Sequence, residues 1–123
     1  MDMAQKLQMK PGQVAVCFDR PVELAAVVPY PEGGSGPVDC VIGFCLEPGD
    51  VARLWPQMRG RLRPAGLLWF AFRKGFKPPD LTRDHGWQVV TAQGYDTVRA
   101  IALDGAWSAL RFRHASERQT PQA

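Results

Sequence analysis

Two runs of the chain are apolar almost without interruption: VDCVIGFCL, Val38 to Leu46, and LLWFAF, Leu67 to Phe72. Both have strand length and show no polar face, the pattern of strands covered on both sides in a parallel sheet. QVAVCF, Gln13 to Phe18, is a shorter run of the same kind. Between the two long runs the period changes. Val51, Leu54, Trp55, Met58 and Leu62 recur at i, i+3, i+4, i+7 and i+11, one stripe of an amphipathic helix. Pro48-Gly49-Asp50 opens that helix, with Asp50 as its N-cap. Pro56 falls inside the stripe and removes a backbone donor. The expectation is a bent helix, or one turn followed by a helix that starts near Trp55.

Weaker signals fill in the rest. Residues 3–9 predict a short helix closed by Lys10-Pro11-Gly12, and Pro21 opens another over Val22 to Val27. PYPEGGSGP, Pro29 to Pro37, reads as loop. Asp80 caps a predicted helix over Leu81 to Ala92, which Gly86 weakens by about 1 kcal/mol. Tyr95 to Leu103 and Trp107 to Arg113 flank Asp104-Gly105, a two-residue hairpin signal. Buried strands that alternate with helices give an α/β fold. The expected architecture is a three-layer α-β-α sandwich, with a mostly parallel sheet of about five strands and a C-terminal antiparallel hairpin. A single domain is expected over residues 1–115, and the polar stretch 116–123 reads as a disordered tail.

Composition excludes little but places the chain. It has 123 residues, 46% apolar and 22% charged, the balance of an ordinary globular domain. No window approaches the ~18 apolar residues of a membrane span, and MDMAQKLQMK lacks the apolar core of a secretory signal. A cytoplasmic protein with no membrane partner is the expectation. Cys17, Cys40 and Cys45 are odd in number and lie in the apolar runs, so they read as small buried hydrophobes rather than a disulfide or metal set.

Leu62-Arg63-Pro64-Ala65-Gly66-Leu67-Leu68-Trp69 resembles the L-K/R-P-G-G-hydrophobic turn into the fifth strand of class I, S-adenosylmethionine-dependent methyltransferases. In that resemblance Val38 to Leu46 corresponds to the fourth strand, and the terminal hairpin to the antiparallel end of the fold. From Gln5 to Arg113 the chain is also similar to a bacterial family of small domains of unknown function. Lys6-Leu7-Gln8-Met9-Lys10-Pro11-Gly12-Gln13 matches its KLGLKPGQ-like opening, with Gln8 where glycine is expected, and Trp107-Ser108-Ala109-Leu110-Arg111-Phe112 its WSALRF-like close. The methyltransferase resemblance implies a glycine-rich turn after the first strand and an acid after the second to hold the ribose. Here the first strand runs into Cys17-Phe18-Asp19-Arg20-Pro21, without glycine, and about twenty residues later the next strong strand begins. Gly33-Gly34-Ser35-Gly36 precedes a strand instead of following one, so it reads as a surface connection. The scaffold is therefore read as truncated, with no cofactor.

Open parallel sheets bind ligands beyond the carboxyl ends of their strands. That rule selects Asp19, Arg20, Glu47, Asp50, Arg73, Lys74 and Lys77 as a mixed-charge site for a small polar ligand. No catalytic or metal constellation emerges. His85 and His114 have no serine or cysteine motif beside them, and Ser35, Ser108 and Ser116 sit in no nucleophile elbow. Charge is uneven: residues 53–83 hold eight Arg or Lys and one acid, a net of +7, against −4 over the rest. Arg59, Arg61, Arg63 and Lys77, with Arg73 and Lys74, are thus candidates for phosphate or nucleic acid. Phe76 and Tyr30 are expected at a contact surface.

The function expected from these readings is a non-catalytic binding or interaction module with a protein partner or a small polar ligand. Two alternatives stand beside it. One is a reduced methyltransferase or other small-ligand enzyme working through Asp19, Glu47 and Arg73. The other is a phosphate or nucleic-acid binder.

Overall fold

A computed structural model describes residues 2–74 and 81–118. Its elements are α1 (Met3–Lys6), β1 (Ala15–Phe18), a 3-10 turn (Val22–Leu24), β2 (Val38–Cys45), α2 (Pro48–Arg61), β3 (Leu62–Arg73), α3 (Gln88–Thr91), β4 (Tyr95–Ala102), β5 (Trp107–His114) and α4 (Ala115–Arg118). The sheet order is β1-β2-β3-β5-β4. β1, β2 and β3 run parallel, and β5 lies antiparallel between β3 and β4. This is the α/β sandwich expected from the apolar runs. Because β5 inserts inside the sheet, β4 forms the edge, and Arg111 and Arg113 sit on an inner strand.

Both faces of the central strands are covered. Val41 and Cys45 on β2 and Leu68, Phe70 and Phe72 on β3 pack under α2, against Val51, Leu54 and Met58. Cys40, Ile42 and Phe44, with Trp69 and Ala71, fill the opposite face beneath Leu7, Leu24 and Val28. That second layer is thin. It is held by one buried polar contact, in which the Trp69 indole N–H donates to the Leu7 carbonyl at 3.2 Å.

Several elements differ from their expectations. α2 runs unbroken from Pro48 to Arg61 with Pro56 inside it, and its N-cap is Glu47, not Asp50. Asp50 sits one turn in, where its carboxylate accepts the Leu46 and Glu47 N–H groups at 2.9 and 3.3 Å. The helix expected over Val22 to Val27 is a 3-10 turn of three residues. The helix expected over Leu81 to Ala92 shrinks to Gln88–Thr91. Gly86 at φ +98° stops any helix from running through it. Trp87 instead plugs the face beside Phe70, Phe72 and Phe112, with its N–H on the Thr82 carbonyl at 2.7 Å. Asp80 as a cap lies outside the described residues.

The hairpin loop is four residues long, Leu103 to Ala106, rather than two. The Asp104 carboxylate accepts the Ala106 and Trp107 N–H groups, both at 2.8 Å, and so builds the turn. β3 begins five residues earlier than its apolar run. Val38 pairs with Leu62 and Cys40 with Leu67, so Arg63 to Gly66 bulge out opposite the single residue Asp39. Ala65 holds φ +62° there, where the resembling turn has glycine.

Candidate functional site

The carboxyl ends of β1 and β2 bring two of the expected residues, Asp19 and Asp50, together through a third, Arg53, that sequence reasoning missed. Asp19 follows β1 at φ +61°, a left-handed conformation that a short polar side chain tolerates. Its carboxylate accepts from Arg53 Nη2 at 2.6 Å, and the same nitrogen reaches Asp50 Oδ1 at 3.1 Å. Burial opposes the charged form of Asp50. The Leu46 N–H, the Arg53 guanidinium and the Glu47 N–H outweigh it, and its pKa lies below the ordinary value. The hydrogen bonds to Asp19 and then Asp50 raise the pKa of Arg53 in turn. The Arg53–Asp19 pair is half exposed, 51% and 48%, so solvent screens it and it is a weak tie.

Arg20 turns away from this triad. Its guanidinium donates to the Val28 carbonyl at 2.8 Å and to the Tyr30 carbonyl, and its backbone N–H donates to Glu32 Oε1 at 2.6 Å. Next to it the Cys17 N–H donates to the Pro31 carbonyl at 2.8 Å, and Cys17 and Glu32 form an isolated parallel bridge. This bridge is a one-residue rudiment of a neighbouring strand on the outer edge of β1. All three cysteines are free and buried. Burial pushes the Cys17 thiol up to about 11 and raises Cys40 and Cys45 as well, so none is a ready nucleophile.

Arg73 and Lys74 end β3, two strands from Asp19 and thus roughly 10 Å along the sheet. Lys74 closes on the hairpin loop: its N–H donates to the Ala106 carbonyl at 2.8 Å, and its ammonium reaches the Asp104 carbonyl at 3.5 Å. Glu47 caps α2 between the two groups. Lys77 and Phe76 lie outside the described residues. Tyr30 is half-buried against the thin layer. Among the described residues the exposed large apolar side chains are Val14, Val22, Leu46 and Val98.

The remaining basic candidates sit at the other end of the sheet. Between them and Arg73 lies the straight part of β3 from Leu67, roughly 20 Å of strand. The described basic residues of the 53–83 segment are therefore spread over both ends of the sheet and do not form one surface. Arg61 donates to the carbonyls of Gly36 at 2.6 Å, Gly33 at 3.0 Å and Gly34 at 3.4 Å. The glycine loop thus presents carbonyls to a cation, the reverse of a phosphate cradle. Arg63 pairs with Asp39 at 3.5 Å. Arg59 lies over the Trp55 ring, 5.9 Å from its centroid. A cavity of about 440 Å³ opens at this end, bounded by α2, the β3 bulge and the end of β5. His114 Nδ1 lies 2.7 Å from Ser116 Oγ at its rim, but the same nitrogen accepts the Ser116 N–H at 3.1 Å, so the contact belongs to a local turn. Among the described residues no three His, Cys, Asp or Glu side chains converge to hold a metal ion. No described helix is long and apolar enough to cross a membrane.

No protein-family model matches the chain, and no characterised protein matches it in sequence. Solved structures do. The Methanococcus jannaschii fibrillarin pre-rRNA processing protein superposes with a TM-score of 0.51 at 13% identity, over 81% of this chain and 55% of that one. A DhpI–SAH complex gives 0.50 at 11% identity, over 89% and 69%. The ribosomal protein L11 methylase of Lactobacillus delbrueckii subsp. bulgaricus gives 0.49 at 14%, over 87% and 60%. The chain thus spans about 55–60% of the length of two of these neighbours. At such identities the likeness concerns the fold alone, and that fold is a methyltransferase-like, Rossmann-like α/β sheet of five strands.

Proposed function

We propose that this chain is a non-catalytic binding or interaction module of the cytoplasm, built on a methyltransferase-like scaffold that no longer takes the methyl donor. One observation carries the reading: Arg53 ties Asp19 to Asp50 across the ends of β1 and β2. A donor site there requires backbone without side chains, so that the ligand can approach closely. Here the position after β1 carries a carboxylate engaged by a guanidinium. Glu32, beside the outer edge of β1, takes the Arg20 N–H on Oε1. Residues 19–37 hold one 3-10 turn and one bridge, too little for the strand-helix pairs that complete such a site in the resembling fold.

Calorimetric titration with S-adenosylmethionine and S-adenosylhomocysteine tests it. The expected result is no saturable heat, for the natural protein and for Asp19→Gly plus Arg53→Ala alike. Binding of either compound to the natural protein at about 1 mM or tighter sinks the proposal in favour of a reduced methyltransferase.

A further inference from the structure

We infer that the cavity at the amino end of β3 is a binding site for a small aromatic monocarboxylate. The inference stands whether or not the other end of the sheet accepts adenosylmethionine. At about 440 Å³ the cavity falls in the range of small-molecule sites, which combine apolar lining with a few convergent polar groups. Its lining includes Leu68 and Phe112, paired across β3 and β5 and buried on the α2 side of the sheet. The bulge Arg63 to Gly66 opens it by carrying the start of β3 out of the ladder with β2. An alanine held at φ +62° in that wall is a local cost of the kind that collects at ligand sites.

The shape favours a flat body. Trp55 and Tyr95 meet edge-to-face at 5.0 Å, and Tyr95 and His114 do so at 5.0 Å, a file of rings from α2 to β5. Tyr95 and His114 line the cavity directly. An aromatic ligand continues this file with the same edge-to-face geometry.

The charge favours a single negative group. Three charged residues line the cavity, Arg59, Arg63 and Glu117, a net of +1. Asp39, the weak 3.5 Å partner of Arg63, does not line the cavity. The Arg59 guanidinium makes no hydrogen bond or ion pair among the described residues, yet the Trp55 face orients it. It is therefore a positioned, uncompensated donor with the fork that suits a carboxylate. Glu117, whose carboxylate accepts the His114 N–H at 3.3 Å, disfavours a second negative charge on the ligand.

The test is an amide NMR titration of the full chain with benzoate. Acetate supplies the head alone, benzyl alcohol the body alone, and phenyl phosphate a dianionic head. Benzoate should saturate at about 1 mM or tighter, shift the amides of Tyr95 and His114, and bind better than all three controls. Arg59→Gln, on an exposed helical position, should fold normally and weaken benzoate about tenfold. Glu117→Gln should narrow the gap between phenyl phosphate and benzoate. The inference is overturned if benzoate gives no saturable shift, if Arg59→Gln binds it as well as the natural protein does, or if the shifts map elsewhere. Equal binding of acetate overturns the aromatic specificity, and tighter binding of phenyl phosphate overturns the monoanion assignment.

Discussion

The same substitution, glycine to alanine, should destabilise the protein at position 66 and stabilise it at position 60. A Cβ on Gly66 would lie 2.5 and 2.8 Å from Leu62 Cδ1 and Cγ, and 2.9 Å from the Arg63 carbonyl oxygen. The leucine can change rotamer. The carbonyl cannot, because it belongs to the bulge, where Ala65 already occupies a left-handed conformation. Overpacking of this kind costs about 1–3 kcal/mol, offset by the ~0.5–1 kcal/mol that alanine saves in unfolded-chain entropy. A net loss of about 1–2 kcal/mol is expected for Gly66→Ala. Gly60, near the end of α2, has nothing within 4 Å of the added carbon. There only the propensity gain remains, about 0.5–1 kcal/mol. Urea unfolding at a common slope should separate the two midpoints on either side of the natural protein, and the melting temperatures should move in opposite directions by a few degrees. If Gly66→Ala is as stable as the natural protein, the tight turn is not the reason that glycine stands there, and the bulge geometry is wrong.

Two further outcomes follow from the ends of the sheet. Asp50 has a folded pKa below its ordinary value, so its contribution is present above the unfolded pKa of ~3.9 and is lost as pH falls through the folded one. Asp50→Asn should therefore cost about 1 kcal/mol near neutral pH, in the manner of a lost helix cap. In paired denaturation curves the deficit should close below roughly pH 4; a deficit unchanged at pH 3 would count against the charged interaction. Arg61→Ala removes the guanidinium from the carbonyls of Gly33, Gly34 and Gly36. Limited proteolysis should then cut within 33–36 about tenfold faster, because local opening loses two or three charge-assisted bonds. An unchanged rate would mean that the loop is held by something else.

The central strands were legible because burial on both faces leaves no polar residue to mislead. Cys40, Ile42 and Phe44 face one layer, and Val41 and Cys45 the other, in one unbroken apolar run. The Val51 to Met58 stripe was equally plain, and Pro56 proved compatible with it. Where local pattern and tertiary packing disagreed, packing won. Residues 81–92 carry helix-forming spacing, but Trp87 is spent as a core plug against Phe70 and Phe112, and the chain bends to place it. The hairpin was found but its turn was not, since Asp104 builds it with a side-chain carboxylate that takes two backbone donors.

The site was less legible than the fold because its decisive contacts are distant in sequence. The rule about strand ends located Asp19 and Asp50, yet Arg53 joins them across 34 residues, and only its i,i+3 spacing from Asp50 hinted at it. Arg61 reached the glycine loop across 25 to 28 residues, and nothing local to either segment announces the pairing. These contacts change what the +7 segment means. A basic run attracts an anion only with charge it has not already committed. Arg53 is spent on Asp19 and Asp50, Arg61 on carbonyls, and Lys74 on the hairpin loop. Arg59 is the member held in place by a ring and matched by no described acid, and it borders a cavity with an aromatic wall. A sheet that keeps its apolar faces keeps its fold whatever its loops carry. In this chain Arg53 and Lys74 at the ligand-bearing strand ends are engaged by their own neighbours, whereas the Arg59 guanidinium at the opposite end is held by a ring and by no acid.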